Sequence, residues 1–238
     1  MKRSLALATA AALLLAAIPA TAAAATYIPA KLTAPDFMLH PDDVPKALGQ
    51  PKPGKNAYIV TTAGGLGPTA NFELCVSVSG EPALQVPAAV GWMITVELVG
   101  KKDRELSEWA STFAGAGAGE ANFGEVKQAA MQCNSTTTSP ISTDGSHPVD
   151  GVYVNTNTSG TLANGAVWIS TDTKVKSKDP RINGNVTTTY TVFMNSLNVI
   201  VQTRLYLDGT ASTTPKQRRA VNRLAVQLMN NLGPPPPG

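Results

Sequence analysis

"NVTTTYTVFMNSLNVIVQTRLYLD", residues 185–208, is rich in β-branched and aromatic side chains on both sides of the short polar step Asn195-Ser196-Leu197-Asn198. Two extended runs joined by so short a turn predict an antiparallel hairpin. Upstream, "GVYVNTNT" (151–158) and "LANGAVWISTDTKV" (162–175) read as two more extended stretches. Downstream, "TTPKQRRAVNRLAVQLMNNLG" (213–233) changes period. Thr214 suits an N-cap and Pro215 the first helical position, and Gly233 with the prolines after it ends the helix. Val221, Leu224, Leu228 and Leu232 form one apolar stripe, joined by Ala220 and Ala225, as in a helix packed on a sheet.

Lys216, Arg219 and Arg223 line the opposite side of that helix and are candidates for an anion-facing edge. Cations in a first turn oppose the helix dipole by only a few tenths of a kcal/mol each. A solvated face is therefore the simpler expectation.

Earlier in the chain, "GWMITVELVG" (91–100) reads as a strand bounded by glycines, and "NFELCVSV" (71–78) as a strand that includes Cys75. "EANFGEVKQAAMQC" (120–133) repeats Phe123, Val126, Ala130 and Cys133 along one helical face. "KDRELSEWASTF" (102–113) fits both a helix and a strand, and periodicity leaves the two open. "GAGAGE" (115–120) lacks the spacing of a dinucleotide-binding loop and reads as a turn. The Ser-, Thr- and Pro-rich run from Asn134 to Gly151 reads as a loop. Near the start, Pro41 to Gly49 suggests a short helix after an extended lead-in over 26–36.

Residues 1–25 carry Lys2 and Arg3, an apolar run too short to span a bilayer, and small residues suited to cleavage after Ala23 or Ala25. This predicts an exported, secreted chain with no lipid-anchor cysteine near the cleavage point. Removal of Lys2 and Arg3 leaves 17 basic against 16 acidic residues, a net charge of +1, which argues against nucleic-acid binding by charge. No integral membrane segment is expected in the mature chain. Cys75 and Cys133, an even pair in an exported chain, predict one structural disulfide.

Catalytic motifs are scarce. No nucleophile elbow, P-loop or H-E-x-x-H zinc signature is present. "DGSHPVDG" gathers Asp144, His147 and Asp150 as a weak polar-site candidate, yet three such groups without a second histidine make a poor metal site. No metal and no cofactor is expected.

The order "MLHPDDVPKALG", a cysteine before "GWMITVE", a second cysteine ending an Ala-rich helix, and "NVIVQTRLYLDG" feeding "KQRRAVNRLAVQLMNNL" resembles a secreted sensor-domain family of actinobacteria. That family is similar to the extracellular domain of a mycobacterial receptor serine/threonine kinase. The resemblance implies an α+β fold: a twisted, largely antiparallel sheet of about six strands with flanking helices and one disulfide. It makes Leu106 to Phe113 a strand and places a ligand cleft between sheet and helices. One cysteine pair stands where the kinase domain has two, and signalling would need a separate partner.

The expected organisation is a signal peptide over 1–25, one sensor-like domain over 37–232 and a Pro-rich disordered tail over 233–238. The expected function is non-catalytic binding of a small-molecule or lipid-like ligand, with an envelope protein as a further partner. The competing readings are a secreted hydrolase of envelope material using His147 with Asp144 or Asp150, and a structural protein that docks through "PPPPG".

Overall fold

The computed structural model describes residues 58–62, 69–72, 74–75, 84–87, 90–98, 104–141 and 150–233. In chain order the strands are β1 Tyr58–Thr62, β2 Thr69–Phe72, β3 Leu84–Pro87, β4 Val90–Leu98, β5 Arg104–Thr112, β6 Ser135–Pro140, β7 Gly151–Thr161, β8 Val167–Ser177, β9 Val186–Ser196 and β10 Val199–Asp208. Helix α1 spans Ala116–Met131 between β5 and β6, and α2 spans Pro215–Asn231 after β10.

Eight strands form one antiparallel sheet in the order β1-β4-β5-β10-β9-β8-β7-β6, and β2 pairs with β3 separately. The β9–β10 hairpin occupies the middle, with Ser196 opposite Val199 at its turn. Leu197 turns there with a positive φ of 52°.

Both faces of this central pair are buried, so a helix is needed on each. Tyr190 and Val192 of β9 and Val201, Leu205 and Leu207 of β10 pack with Val221, Leu224 and Leu228 of α2. Phe193 and Ile200 point the other way, into a second cluster with Phe123, Val126 and Ala130 of α1. Alternate residues of a strand face opposite sides, so the sheet lies between the two helices. The fold is α+β, with an antiparallel sheet, flanking helices and one disulfide, Cys75–Cys133.

Several local expectations change. The sheet has eight strands: β6 extends one edge, where the composition of 134–151 had suggested a loop, and β1 lies at the other. Thr136, Thr137 and Thr138 are β-branched, and their backbones pair with β7. "GAGAGE" is no turn: Gly115 is the extended N-cap of α1, and the rest, from Ala116, lies in the helix. Cys75 lies in a bend beyond β2 rather than in a strand, and Cys133 follows the last turn of α1. Leu106 to Thr112 is strand, in β5. The helix expected over 41–49, the signal peptide and the "PPPPG" tail lie outside the described residues.

Candidate functional site

Helix α1 lies close to the sheet because its first turns are glycine-rich. A Cβ on Gly119 would strike the carbonyl oxygen of Leu197 and come within 2.8 Å of Asn198 Cα. Asn198 fixes the same corner: its side-chain amide donates to the Phe113 carbonyl at 3.0 Å, and Phe113 N–H donates to the Asn198 carbonyl at 2.8 Å. At the other end, Cys133 is joined to Cys75 across a Cα–Cα distance of 5.7 Å, and Phe72 packs edge-on against Phe193. Asn134 completes this anchor by accepting from the Ser159 backbone N–H at 2.8 Å and donating to the Ser159 hydroxyl at 3.1 Å.

Between the first half of α1 and the sheet a groove of about 320 Å³ remains. Glu120, Phe123 and Lys127 of α1, Asn164 and Ala166 of the β7–β8 turn, and Asn195 of β9 line it. Phe123 and Ala166 give it apolar wall, and the Lys127 ammonium stands 4.7 Å above the Phe123 ring. Glu120 and Lys127 are seven residues apart, about 10 Å along the helix axis. The Asn195 side-chain oxygen, Oδ1, is buried with no hydrogen-bond donor. A site of this kind has among its lining a side-chain acceptor, charges of both signs and apolar surface. It suits a small molecule that carries a donor and an apolar body.

The residues singled out in the sequence fall elsewhere. Lys216, Arg219 and Arg223 are exposed on α2, across the sheet from the groove, and no ion pair to a described residue engages them. Arg218, between them in sequence, behaves differently. Its guanidinium lies 6.0 Å from the Trp168 ring and 5.8 Å from the Tyr190 ring, and its Nε donates to Thr213 Oγ1 at 2.8 Å. Tyr190 stacks on Trp168 and donates its hydroxyl to Asn222 Oδ1 at 3.1 Å. Burial pushes the Tyr190 phenol pKa up, against the opposing pull of the Asn222 bond and the Arg218 charge.

Asp150 accepts from the exposed Lys178 ammonium at 2.6 Å, a bond that raises the Lys178 pKa. Asp144 and His147 lie outside the described residues. Among the described residues no group of three or more His, Cys, Asp and Glu could hold a metal ion. Asn195 escaped notice in the sequence because it reads as a turn residue. Only the strand's alternation, which sets it on the Phe193 face, could have placed it under α1.

The architecture is thus a sheet sandwiched by one helix on each face, with the α1 side stapled by a disulfide. No protein-family model and no curated protein matches the chain. Among solved structures, the extracellular domain of PknH from Mycobacterium tuberculosis is similar in fold, with a TM-score of 0.52 at 11% identity over 86% of this chain and 98% of that one.

Proposed function

We propose that this chain is an exported, non-catalytic, sensor-like module that binds a small molecule in the groove between α1 and the sheet. The observation that carries this reading is the Asn195 side-chain oxygen, Oδ1, buried without a donor on a residue that lines the groove. Leaving such an acceptor unpaired costs about 1–3 kcal/mol, and a ligand N–H or O–H would recover it. The signal-like residues 1–25, the disulfide and the likeness to an extracellular domain support export and a sensing rather than catalytic role.

Native mass spectrometry of the protein collected from culture medium tests both parts. The expected result is a mature chain starting after Ala23 or Ala25 and a non-covalent adduct that is lost on denaturation and diminished in Asn195→Leu. A bare chain, or an adduct indifferent to Asn195→Leu, would sink the groove assignment.

A further inference from the structure

The groove under α1 carries more chemistry than a single acceptor. Glu120, Phe123, Gly124 and Lys127 all line it, at the spacing that sets residues along one face of a helix. Glu120 and Lys127 are exposed, and neither forms an ion pair with a described residue. Lys127 is nonetheless held at the groove, because its ammonium rests 4.7 Å above the Phe123 ring. Glu120 stands at the other end. The adjacent Gly119 lies against the Leu197 backbone, two residues beyond Asn195, so Glu120 and the donor-less Asn195 Oδ1 belong to the same end of the groove.

Between these ends stands Gly124. A Cβ there would meet nothing within 4 Å, in contrast to Gly119, so packing of the chain on itself does not require this glycine. Glycine in a helix interior costs about 1 kcal/mol against alanine. What the missing side chain gives is open space along the groove between a carboxylate and an ammonium, with Phe123 and Met194 as apolar surface. Acceptors at one end and a cation at the other match a ligand with opposite charges at its two ends. Of the ~10 Å along the axis from Glu120 to Lys127, two charged contacts of about 2.8 Å leave roughly 5 Å for the ligand. One or two amino-acid residues span that length, at about 3.5 Å per residue.

Taking the groove as the binding site described above, we propose that its ligand is a zwitterion of one or two amino-acid residues. Its ammonium donates to Glu120 and Asn195 Oδ1, its carboxylate accepts from Lys127, and its body fills the space beside Gly124 against Phe123 and Met194. A molecule with only one of the two charges answers one end of the groove and leaves the other as it was.

Isothermal titration calorimetry of the intact mature protein tests this with leucine, alanylalanine and alanylleucine, and with their N-acetyl and C-terminal amide forms as singly charged controls. At least one free zwitterion should bind, and blocking either of its ends should weaken it about three- to fivefold, the scale of one solvent-screened charge contact. Glu120→Gln should remove the penalty for N-acetylation and Lys127→Met the penalty for amidation, both being changes at exposed side chains that leave the fold intact. Gly124→Leu, with its fold checked by a thermal melt, should fill the open space and cut affinity at least tenfold. Three results overturn the proposal: no binding of any zwitterion, equal binding of the blocked forms, or full affinity in Gly124→Leu. An adduct from culture medium that depends on Asn195 while every zwitterion fails would overturn this ligand class and leave the groove as a binding site. Loss of both the adduct and the zwitterions would remove the groove as well.

Discussion

A methyl group at position 119 has nowhere to go. Its neighbours are backbone atoms of the β9–β10 turn, Leu197 O and Asn198 Cα, and the turn residue Leu197 is already at a positive φ. Gly119→Ala should therefore destabilise by about 1–3 kcal/mol through overpacking, despite the better helix propensity of Ala. A thermal melt checks it, and an unchanged or raised Tm would show that α1 can lift off the turn freely. Nothing in "GAGAGE" announces this contact, because a glycine needed for close approach looks the same in sequence as one needed for a turn. Tyr190 is the counterpart on the α2 side. Its pKa is raised above the ordinary 10.0, chiefly by burial. The stability it contributes is thus fully present below pH ~10 and is lost as pH rises through the higher folded-state value. Tyr190→Phe should flatten the alkaline fall in stability while costing about 1 kcal/mol at neutral pH for the lost bond to Asn222. Denaturation curves from pH 8 to 11 decide it; equal alkaline slopes in both proteins would contradict the assignment.

At the scale of elements, α2 was the most legible part of the chain because its cap and its apolar stripe agree. Gln217 N–H donates to Thr214 Oγ1 at 3.2 Å and Gln217 Oε1 accepts from Thr214 N–H at 2.8 Å, closing a capping box around Pro215. Thr214→Ala should cost about 1 kcal/mol in chemical denaturation. The basic face is a different matter: Lys216, Arg219 and Arg223 are exposed and make no ion pair with a described residue. Changing all three to Ser should move stability by no more than about 0.5 kcal/mol each. Unchanged retention on anionic vesicles would support a solvated face, whereas lost retention would make this helix edge an anion contact. Strand β6 was illegible for the opposite reason. Its residues Ser135–Pro140 carry loop composition, and no apolar alternation marks this edge strand, whose side chains are polar or exposed on both faces. Its place in the sheet comes from main-chain pairing with β7, which composition does not encode.

Across the whole molecule, an even cysteine pair was enough to expect the disulfide, and the hairpin with the helix after it to expect strands and a helix packed together, while the α+β fold as a whole was expected from the resemblance to the sensor-domain family. The candidate site was not, since Asn195, Phe123 and Ala166 are brought together by three separate elements. The same faces assign different roles to the two helices. The α2 cluster contains no cysteine, whereas the α1 cluster contains Cys133 together with Phe72 and Leu74, from the segment that ends at Cys75. The bond closes a sequence separation of 58 residues, which constrains the unfolded chain by about 4 kcal/mol in the chain-entropy model. Replacing both cysteines with Ser should remove a stability of that order. The loss should also be uneven, because opening of α1 then needs only its contacts with Phe193, Val167 and Ile200, while α2 keeps its whole apolar stripe. Hydrogen exchange under native conditions should accordingly rise at Val126 and Ala130 well before it rises at Leu224 and Leu228. Equal acceleration on both helices would mean that the two faces open as one cooperative unit, and that the groove under α1 cannot respond to a ligand independently of the rest of the sheet.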